Sequence, residues 1–106
     1  MKIERIREKV KVGKYIISFT HTEKMRLIRK IEAQDIEEAI YEGRIIEPYP
    51  DDPRGTSCLI LGLTNKGRPL HIVCGRLKND EILSITAYEP DAEEWEADWK
   101  TRKKGV

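Results

Sequence analysis

The chain has 106 residues, of which 39% are hydrophobic and 37% are charged, and its formal net charge is +1. This length supports one hydrophobic core and not two, so residues 1–106 are predicted to form a single domain. No apolar run is long enough to span a membrane, and no hydrophobic signal region follows the basic N-terminal stretch. We therefore expect a cytoplasmic protein with no membrane partner.

The charges are unevenly distributed along the chain. Residues 1–31 hold ten basic and three acidic side chains, residues 32–54 hold two and eight, and residues 55–106 hold eight of each. Two interpretations stay open. The blocks of opposite sign pair with each other in the fold, or they form a basic face for a polyanion such as RNA and a separate acidic face.

Two helices with an extended segment between them are predicted in the first third of the chain. Apolar residues recur at helical spacing over residues 3–10, which predicts an amphipathic helix that ends near Gly13. The β-branched and aromatic run 15–19 is predicted to be extended. The capping-box sequence at residues 20–23 then predicts a second helix, with His21 in its first turn.

A third helix and an acidic loop are predicted before the centre of the chain. Asp35 is typical of a helix start and Gly43 of a helix end. Residues 44–49 are predicted to be extended, and the prolines and aspartates of residues 48–55 predict a rigid loop.

The centre of the chain predicts an antiparallel hairpin continued by a third strand, over Ser57 to Thr64, Pro69 to Leu77 and Ile82 to Tyr88. A three-residue hairpin loop with Gly67 in the left-handed region places Cys58 opposite Cys74, whereas a two-residue loop places them on opposite faces. In a reducing cytosol both cysteines are expected to be buried thiols.

A last helix is predicted near the C-terminus. Asp91 is typical of an N-cap, Trp95 and Trp99 are one helical turn apart, and basic residues follow them. The predicted fold class is therefore α+β, with N-terminal helices, a three- to four-stranded antiparallel meander sheet and a C-terminal helix.

The second and third predicted strands carry a polar pattern. Period-two alternation places His71 on the face opposite to its apolar neighbours, and Ser84, Thr86 and Tyr88 form the polar face of the next strand. If these residues share an uncovered side of the sheet, an imidazole, two hydroxyls and a phenol lie on one surface. Such a surface suits RNA.

Metal-free cleavage of RNA needs a base, an acid and cations that stabilise the charge on phosphorus. Histidine transfers protons near neutral pH, and arginine binds two phosphate oxygens at once. The catalytic candidates are His71, His21 and Tyr88, and the phosphate-binding candidates are Arg26, Arg68 and Arg76. The alternative is that His71 is hydrogen-bonded within the sheet and that the arginines are ordinary surface residues.

Neither a metal nor a cofactor is expected from the motifs. The chain has no Gly-rich phosphate loop, no nucleophile elbow and no paired-cysteine zinc spacing. Its two histidines and two cysteines lack the short-range spacing of metal ligands. Any reaction is therefore expected to be metal-independent.

Seven short motifs occur in a defined order. They are Ser18-Phe19-Thr20-His21, Met25-Arg26, Ile36-Glu37-Glu38-Ala39-Ile40, Ile46-Glu47-Pro48-Tyr49-Pro50-Asp51-Asp52, Ser57-Cys58-Leu59-Ile60-Leu61-Gly62, Gly67-Arg68-Pro69-Leu70-His71-Ile72-Val73 and Thr86-Ala87-Tyr88-Glu89-Pro90-Asp91. In order and spacing, this series resembles a large bacterial and archaeal family of small proteins labelled only as a domain of unknown function. The chain departs from it at residues 29–32, where the family has a glycine before the next helix.

The resemblance implies a role as well as a family. Such proteins are often encoded beside a small zinc-ribbon antitoxin of the MqsA type, so the resemblance implies the toxin of a type II toxin-antitoxin pair, with that antitoxin as partner. The order of elements is similar to the RelE, ParE and MqsR toxins, which cut messenger RNA or, for ParE, poison gyrase. Residues at motif positions are His21, Arg26, Arg68, His71 and Tyr88.

Three functions follow as hypotheses. The first is a metal-independent endoribonuclease that acts on messenger RNA. The second is a non-enzymatic module that binds an antitoxin or another protein. The third is a gyrase-poisoning toxin or an inactive remnant.

Overall fold

The structure is a computed structural model that describes residues 1–17, 29–53, 55–76 and 82–104. In these ranges the chain forms two α-helices and five β-strands, in the order α1 (Ile3–Lys11), β1 (Tyr15–Ile17), α2 (Ala33–Glu42), β2 (Arg44–Tyr49), β3 (Ser57–Leu63), β4 (Pro69–Arg76) and β5 (Leu83–Tyr88). The helix predicted to start at residue 20 lies outside the described residues. No helix within these ranges has the length and apolar character needed to cross a bilayer.

The five strands form one mixed sheet in the order β1-β5-β4-β3-β2. Strand β1 runs parallel to β5, with Tyr15 opposite Leu83, while the other neighbours are antiparallel. The predicted arrangement of an antiparallel meander between N-terminal and C-terminal helices is therefore wrong, although both helices and strands are present. Strand β1 pairs with a strand that is far away in sequence, and such a pairing is invisible to local patterns.

The predicted C-terminal helix is also wrong. Residues 91–104 form turns and an isolated bridge between Trp95 and Arg102. The Asp98 carboxylate accepts hydrogen bonds from the backbone N–H groups of Lys100 and Thr101, both at 2.9 Å. An aspartate that bonds to the backbone nearby competes with helix formation, and Trp99 has a φ of 61°, outside the right-handed helical region.

The two described helices cover one face of the sheet. Helix α1 buries Ile6 and Val10, and α2 buries Ile36, Ala39 and Ile40. They pack on alternate residues of the central strands, namely Cys58, Ile60, Leu70, Ile72, Cys74, Leu83, Ile85 and Ala87. This covered side is called the core face, and the opposite side is called the outer face.

The start of α2 lies before the predicted one. A capping box joins the Glu32 side chain to the backbone of Asp35, and the Asp35 side chain to the backbone of Glu32. Asp35 is therefore the third helical residue and not the N-cap. Gly43 follows the helix as predicted, with extended backbone.

The hairpin between β3 and β4 has the register of the three-residue loop. Thr64 donates its backbone N–H to the carbonyl oxygen of Arg68 at 2.9 Å, and Gly67 has a φ of 81°. Cys58 is therefore opposite Cys74 on the core face, and both are free thiols. Burial raises the pKa of Cys58 to about 11 and that of Cys74 to about 12.

Helix α2 approaches β3 most closely at Gly62. A Cβ atom at Gly62 would lie 1.9 Å from the carbonyl oxygen of Ala39, a distance that real atoms do not reach. Backbone atoms occupy this space and cannot rotate away. The helix can therefore rest on the sheet only because residue 62 has no side chain.

We predict that Gly62→Ala lowers the free energy of unfolding by about 2 kcal/mol or more, because α2 must move away from β3. The matched control is Gly75→Ala in the neighbouring strand, where the added Cβ would lie 3.6 Å from the Ser57 Cβ, an ordinary contact. Urea unfolding of the two variants measures the difference. Equal losses of stability in both variants would contradict this account of the helix-sheet contact.

Candidate functional site on the outer face

A C-terminal loop, defined as residues 94–103, folds back over the outer face of the sheet. Its two arms are joined by hydrogen bonds from the Glu96 N–H to the Thr101 carbonyl at 2.8 Å and from the Lys103 N–H to the Glu94 carbonyl at 3.0 Å. The Asp98 side chain shapes the tip through its bonds to the next turn. The loop tip is thereby placed so that the Trp99 carbonyl points at β4.

His71 lies beneath this loop and is fully buried. Its Nε2 is 2.7 Å from the carbonyl oxygen of Trp99. Because a carbonyl oxygen only accepts, Nε2 must carry the hydrogen in this contact. The other ring nitrogen, Nδ1, has no hydrogen-bond partner among the described residues.

Aromatic rings complete the surroundings of the imidazole. The Trp95 ring lies edge-on with its centroid 4.5 Å away, and the Tyr88 ring lies at 5.6 Å. Burial lowers the pKa of His71 below its usual value, against an opposing contribution from the Trp99 carbonyl. The ring is therefore neutral at neutral pH.

An ion pair lies on the same face beside His71. Arg102 donates from Nε and Nη2 to the two carboxylate oxygens of Glu47, each at 2.9 Å, and the Tyr49 hydroxyl donates to Oε1 at 2.7 Å. The Arg102 guanidinium also lies 4.5 Å from the centroid of the Trp95 ring. Hydrogen bonds from Arg102 lower the pKa of Glu47.

Unlike His71, this pair is open to solvent. The Glu47 side chain is 24% exposed and that of Arg102 is 54% exposed. Glu47 favours the protonated imidazole of His71, whereas Arg102 opposes it. A carboxylate, a guanidinium, a phenol and an imidazole therefore share this end of the outer face.

Further along the outer face, a depression of about 150 Å³ is lined by the hydroxyl residues Ser57, Ser84 and Thr86 together with Gly75 and Asp52. It is called the hydroxyl groove. The Ser57 hydroxyl donates to Asp52 Oδ2 at 2.9 Å. Because Gly75 has no side chain, its strand leaves the middle of the groove open.

Among the predicted site residues, the structure brings together His71 and Tyr88. These two are opposite each other in adjacent strands, and burial raises the pKa of Tyr88. The expected uncovered surface is covered at this point by the C-terminal loop. His21 and Arg26 lie outside the described residues.

The two remaining predicted arginines lie elsewhere. Arg68 donates to the Glu89 carboxylate and to the carbonyl oxygens of Lys30 and Arg29, at 2.7 and 2.6 Å for the carbonyls. It therefore holds the segment before α2 against the end of β5. Arg76 ends β4 at a core-face position. The phosphate-binding roles of both arginines stay predictions.

Glu47, Tyr49 and Arg102 were not among the predicted site residues. A period-two pattern in β2 places Glu47 and Tyr49 on one face, but the register shift between Ile45 and Glu47 hides which face this is. Arg102 lies in a basic stretch that was interpreted as the end of a helix. Only the pairing of β2 with β3 and the fold of the loop bring the three together.

A sequence model of the family described as Domain of unknown function (DUF4258) matches residues 20–89. The matched region contains α2 and β2 to β5, which carry His71, Tyr88 and Glu47. No curated protein matches the chain, and no solved structure matches it.

The burial of His71 predicts a pH-dependent stability. The unfolded chain binds the imidazole proton near pH 6.5, whereas the folded chain binds it only at lower pH. Between these two values the unfolded state holds more protons, so the free energy of unfolding falls as pH falls. The slope from this one group is at most about 1.4 kcal/mol per pH unit.

Urea unfolding at about pH 7.5 and about pH 5 checks this for the wild type and for His71→Gln, which cannot be protonated in this range. The loss of stability on acidification should be smaller in the variant, because all other titrating groups are common to both chains. An equal loss in the two proteins would mean that His71 titrates normally in the fold.

Proposed function

The chain belongs to the DUF4258 family, and we propose that it is a toxin-type endoribonuclease that cuts messenger RNA without a metal ion. The observation that carries the proposal is the grouping of His71, Tyr88, Glu47 and Arg102 at one end of the outer face. Proton-transfer groups and a phosphate-binding cation are the set that this reaction needs. Because messenger RNA is the proposed substrate, the protein would act in the cytoplasm.

In the proposed reaction, the neutral His71 ring carries its hydrogen on Nδ1 and accepts the proton of a ribose 2′-hydroxyl at Nε2. The 2′-oxygen then attacks phosphorus, and the bond from phosphorus to the 5′-oxygen breaks. The Tyr88 hydroxyl, which burial keeps protonated, supplies a proton to the leaving 5′-oxygen. The products are a 2′,3′-cyclic phosphate and a 5′-hydroxyl end.

Arg102 and Glu47 have different roles in the proposed reaction. The fork of N–H donors on Arg102 fits two phosphate oxygens as well as it fits the two oxygens of Glu47. Glu47 already favours the protonated imidazole of His71, so it stabilises the imidazolium that forms when the proton is accepted. The lowered pKa of His71 keeps the imidazole neutral, as a base must be.

The described state is a covered one. The Trp99 carbonyl occupies the ring nitrogen of His71 that would otherwise face a substrate hydroxyl. The reaction therefore requires the tip of the C-terminal loop to move and the ring hydrogen to pass from Nε2 to Nδ1. The tip is exposed and is shaped by side-chain bonds of Asp98, and the φ of Trp99 lies in a region that non-glycine residues adopt at a cost of about 1 kcal/mol.

We predict that the purified protein cleaves RNA in the presence of EDTA and leaves 2′,3′-cyclic phosphate ends. Tyr88→Phe removes one hydroxyl and keeps the ring, so it should lower the rate by about 100-fold or more with little change in stability. Tyr41→Phe, at an exposed position on α2, is the matched control. Electrophoresis of end-labelled RNA measures both. Undiminished cleavage by Tyr88→Phe would remove Tyr88 from the mechanism.

A second variant tests the cover over His71. Asp98→Ala removes the bonds that shape the loop tip, so cleavage should become several-fold faster because the Trp99 carbonyl leaves Nε2 more often. The control is Asp91→Ala, since Asp91 makes a similar bond to the backbone of Glu93 away from the tip. Initial rates on a fluorescent RNA provide the measurement. A slower Asp98→Ala enzyme would show that the covered geometry is itself the productive one.

A non-enzymatic protein-binding module is the second candidate. The full burial of His71 and the three acceptors that hold Arg68 favour it, because both side chains then serve the fold. In this case a zinc-ribbon antitoxin would be the partner, as the toxin resemblance suggests. Tight binding of that antitoxin with no cleavage of RNA would support the module, whereas growth arrest with intact RNA would support a gyrase poison.

A further inference from the structure

A second, cationic site lies where α1 crosses the ends of β4 and β5. A depression of about 350 Å³ is lined there by the basic side chains Lys2, Arg5, Lys9 and Arg76, over a floor that includes Ile6 and Leu83. It is called the cationic depression. None of its described lining residues is acidic, although Glu4 and Glu8 lie on the adjoining surface of α1.

The four cations come from two elements and meet because of the fold. Lys2, Arg5 and Lys9 follow one another at three- and four-residue spacing, which places them along one side of α1. Arg76 reaches the same depression from the end of β4, more than 60 residues later in the chain. Since like charges repel, their convergence favours an anionic ligand between them.

The cationic depression leads to the proposed reaction site. Arg76 lines both this depression and the hydroxyl groove on the outer face. From Arg76, strand β4 runs five residues back to His71, a distance of about 17 Å at the usual rise per residue. A stacked single strand advances about 3.4 Å per nucleotide, so this path is about five nucleotides long. A polymer with regularly spaced phosphates fits it better than a single phosphate ion does.

We propose that the cationic depression binds the backbone phosphates of a single-stranded RNA, which continues over the hydroxyl groove towards Tyr88 and His71. This inference rests on the proposed function for the direction of the strand. Sequence preference is not expected from the depression, because lysine and arginine contacts to phosphates do not distinguish bases.

The experiment measures binding of a fluorescent 2′-O-methyl oligonucleotide of about 12 nucleotides, which keeps its phosphates but cannot be cleaved. The combined Lys2→Ala, Arg5→Ala and Lys9→Ala variant should bind at least about 10-fold more weakly at low salt. The slope of log affinity against log salt concentration should become shallower by about 2, since three phosphate contacts are lost.

The matched control removes three exposed lysines outside the depression, by Lys11→Ala, Lys14→Ala and Lys66→Ala. It changes the net charge equally and should weaken binding less than about 3-fold. Equal losses in the two triple variants would overturn the inference, because net charge alone would then explain binding. Anionic phospholipid vesicles are the second probe, and binding to them without binding to the oligonucleotide would overturn it as well.

The two proposals fail in different ways. If the wild type cleaves RNA but the Lys2, Arg5 and Lys9 variant binds the oligonucleotide as tightly as the wild type, the cationic depression is not the RNA site and the reaction stands. If the oligonucleotide binds in the depression but no RNA is cleaved, the endoribonuclease proposal fails and the binding site stands.

Discussion

The hydrogen bond between the His71 imidazole and the Trp99 carbonyl determines what the outer face of the sheet can do. Because the carbonyl can only accept, the contact fixes the hydrogen on Nε2, while burial beneath the loop favours a neutral ring. The same bond attaches the tip of the C-terminal loop to the centre of the sheet. One contact therefore both completes the fold on this side and occupies the group best suited to proton transfer.

The negative charge of Glu47 and the positive charge of Arg102 have opposite effects on the His71 imidazole when the C-terminal loop covers it. Glu47 would raise the pKa of His71 and Arg102 would lower it, and the two are paired with each other, so burial dominates and the pKa is lowered. A phosphate that drew Arg102 away would leave the Glu47 carboxylate as the main charge near the ring. The Glu47 carboxylate would then stabilise the imidazolium that forms when His71 accepts a proton, without any change in the position of His71 on the sheet.

The parts of the fold that were predicted correctly are those where local sequence decides the structure. The hairpin of β3 and β4 is local in sequence. Of the two hairpin loops that the sequence left open, the structure has the three-residue one, with Gly67 in the left-handed region and Cys58 opposite Cys74. The apolar stripes of α1 and α2 are likewise local. In contrast, the parallel pairing of β1 with β5 joins segments that are far apart in sequence. The spacing of Trp95 and Trp99 favours a helix, but the hydrogen bonds of the Asp98 side chain to the nearby backbone stabilise a turn there instead.

In the candidate site, too, the features that depend on local sequence could be predicted and those that depend on distant parts of the chain could not. His71 and Tyr88 are on adjacent strands of a predicted sheet, so their proximity could be foreseen from alternation alone. The cover over His71 could not be foreseen, because it depends on a loop that was predicted as a helix. Glu47 and Arg102 are separated by 55 residues and meet only through that loop.

The alternation of β4 also explains why, among the described residues, the cationic depression and the hydroxyl groove beside the proposed reaction site meet at Arg76. Along this strand the core face is filled by buried Leu70, Ile72 and Cys74, so no charged group can lie there until the strand ends. Arg76 is the first core-face position beyond the hydrophobic core. In the proposed path, an anionic chain held by α1 therefore reaches the outer face around this end of the sheet, where the absent side chain of Gly75 leaves the hydroxyl groove open.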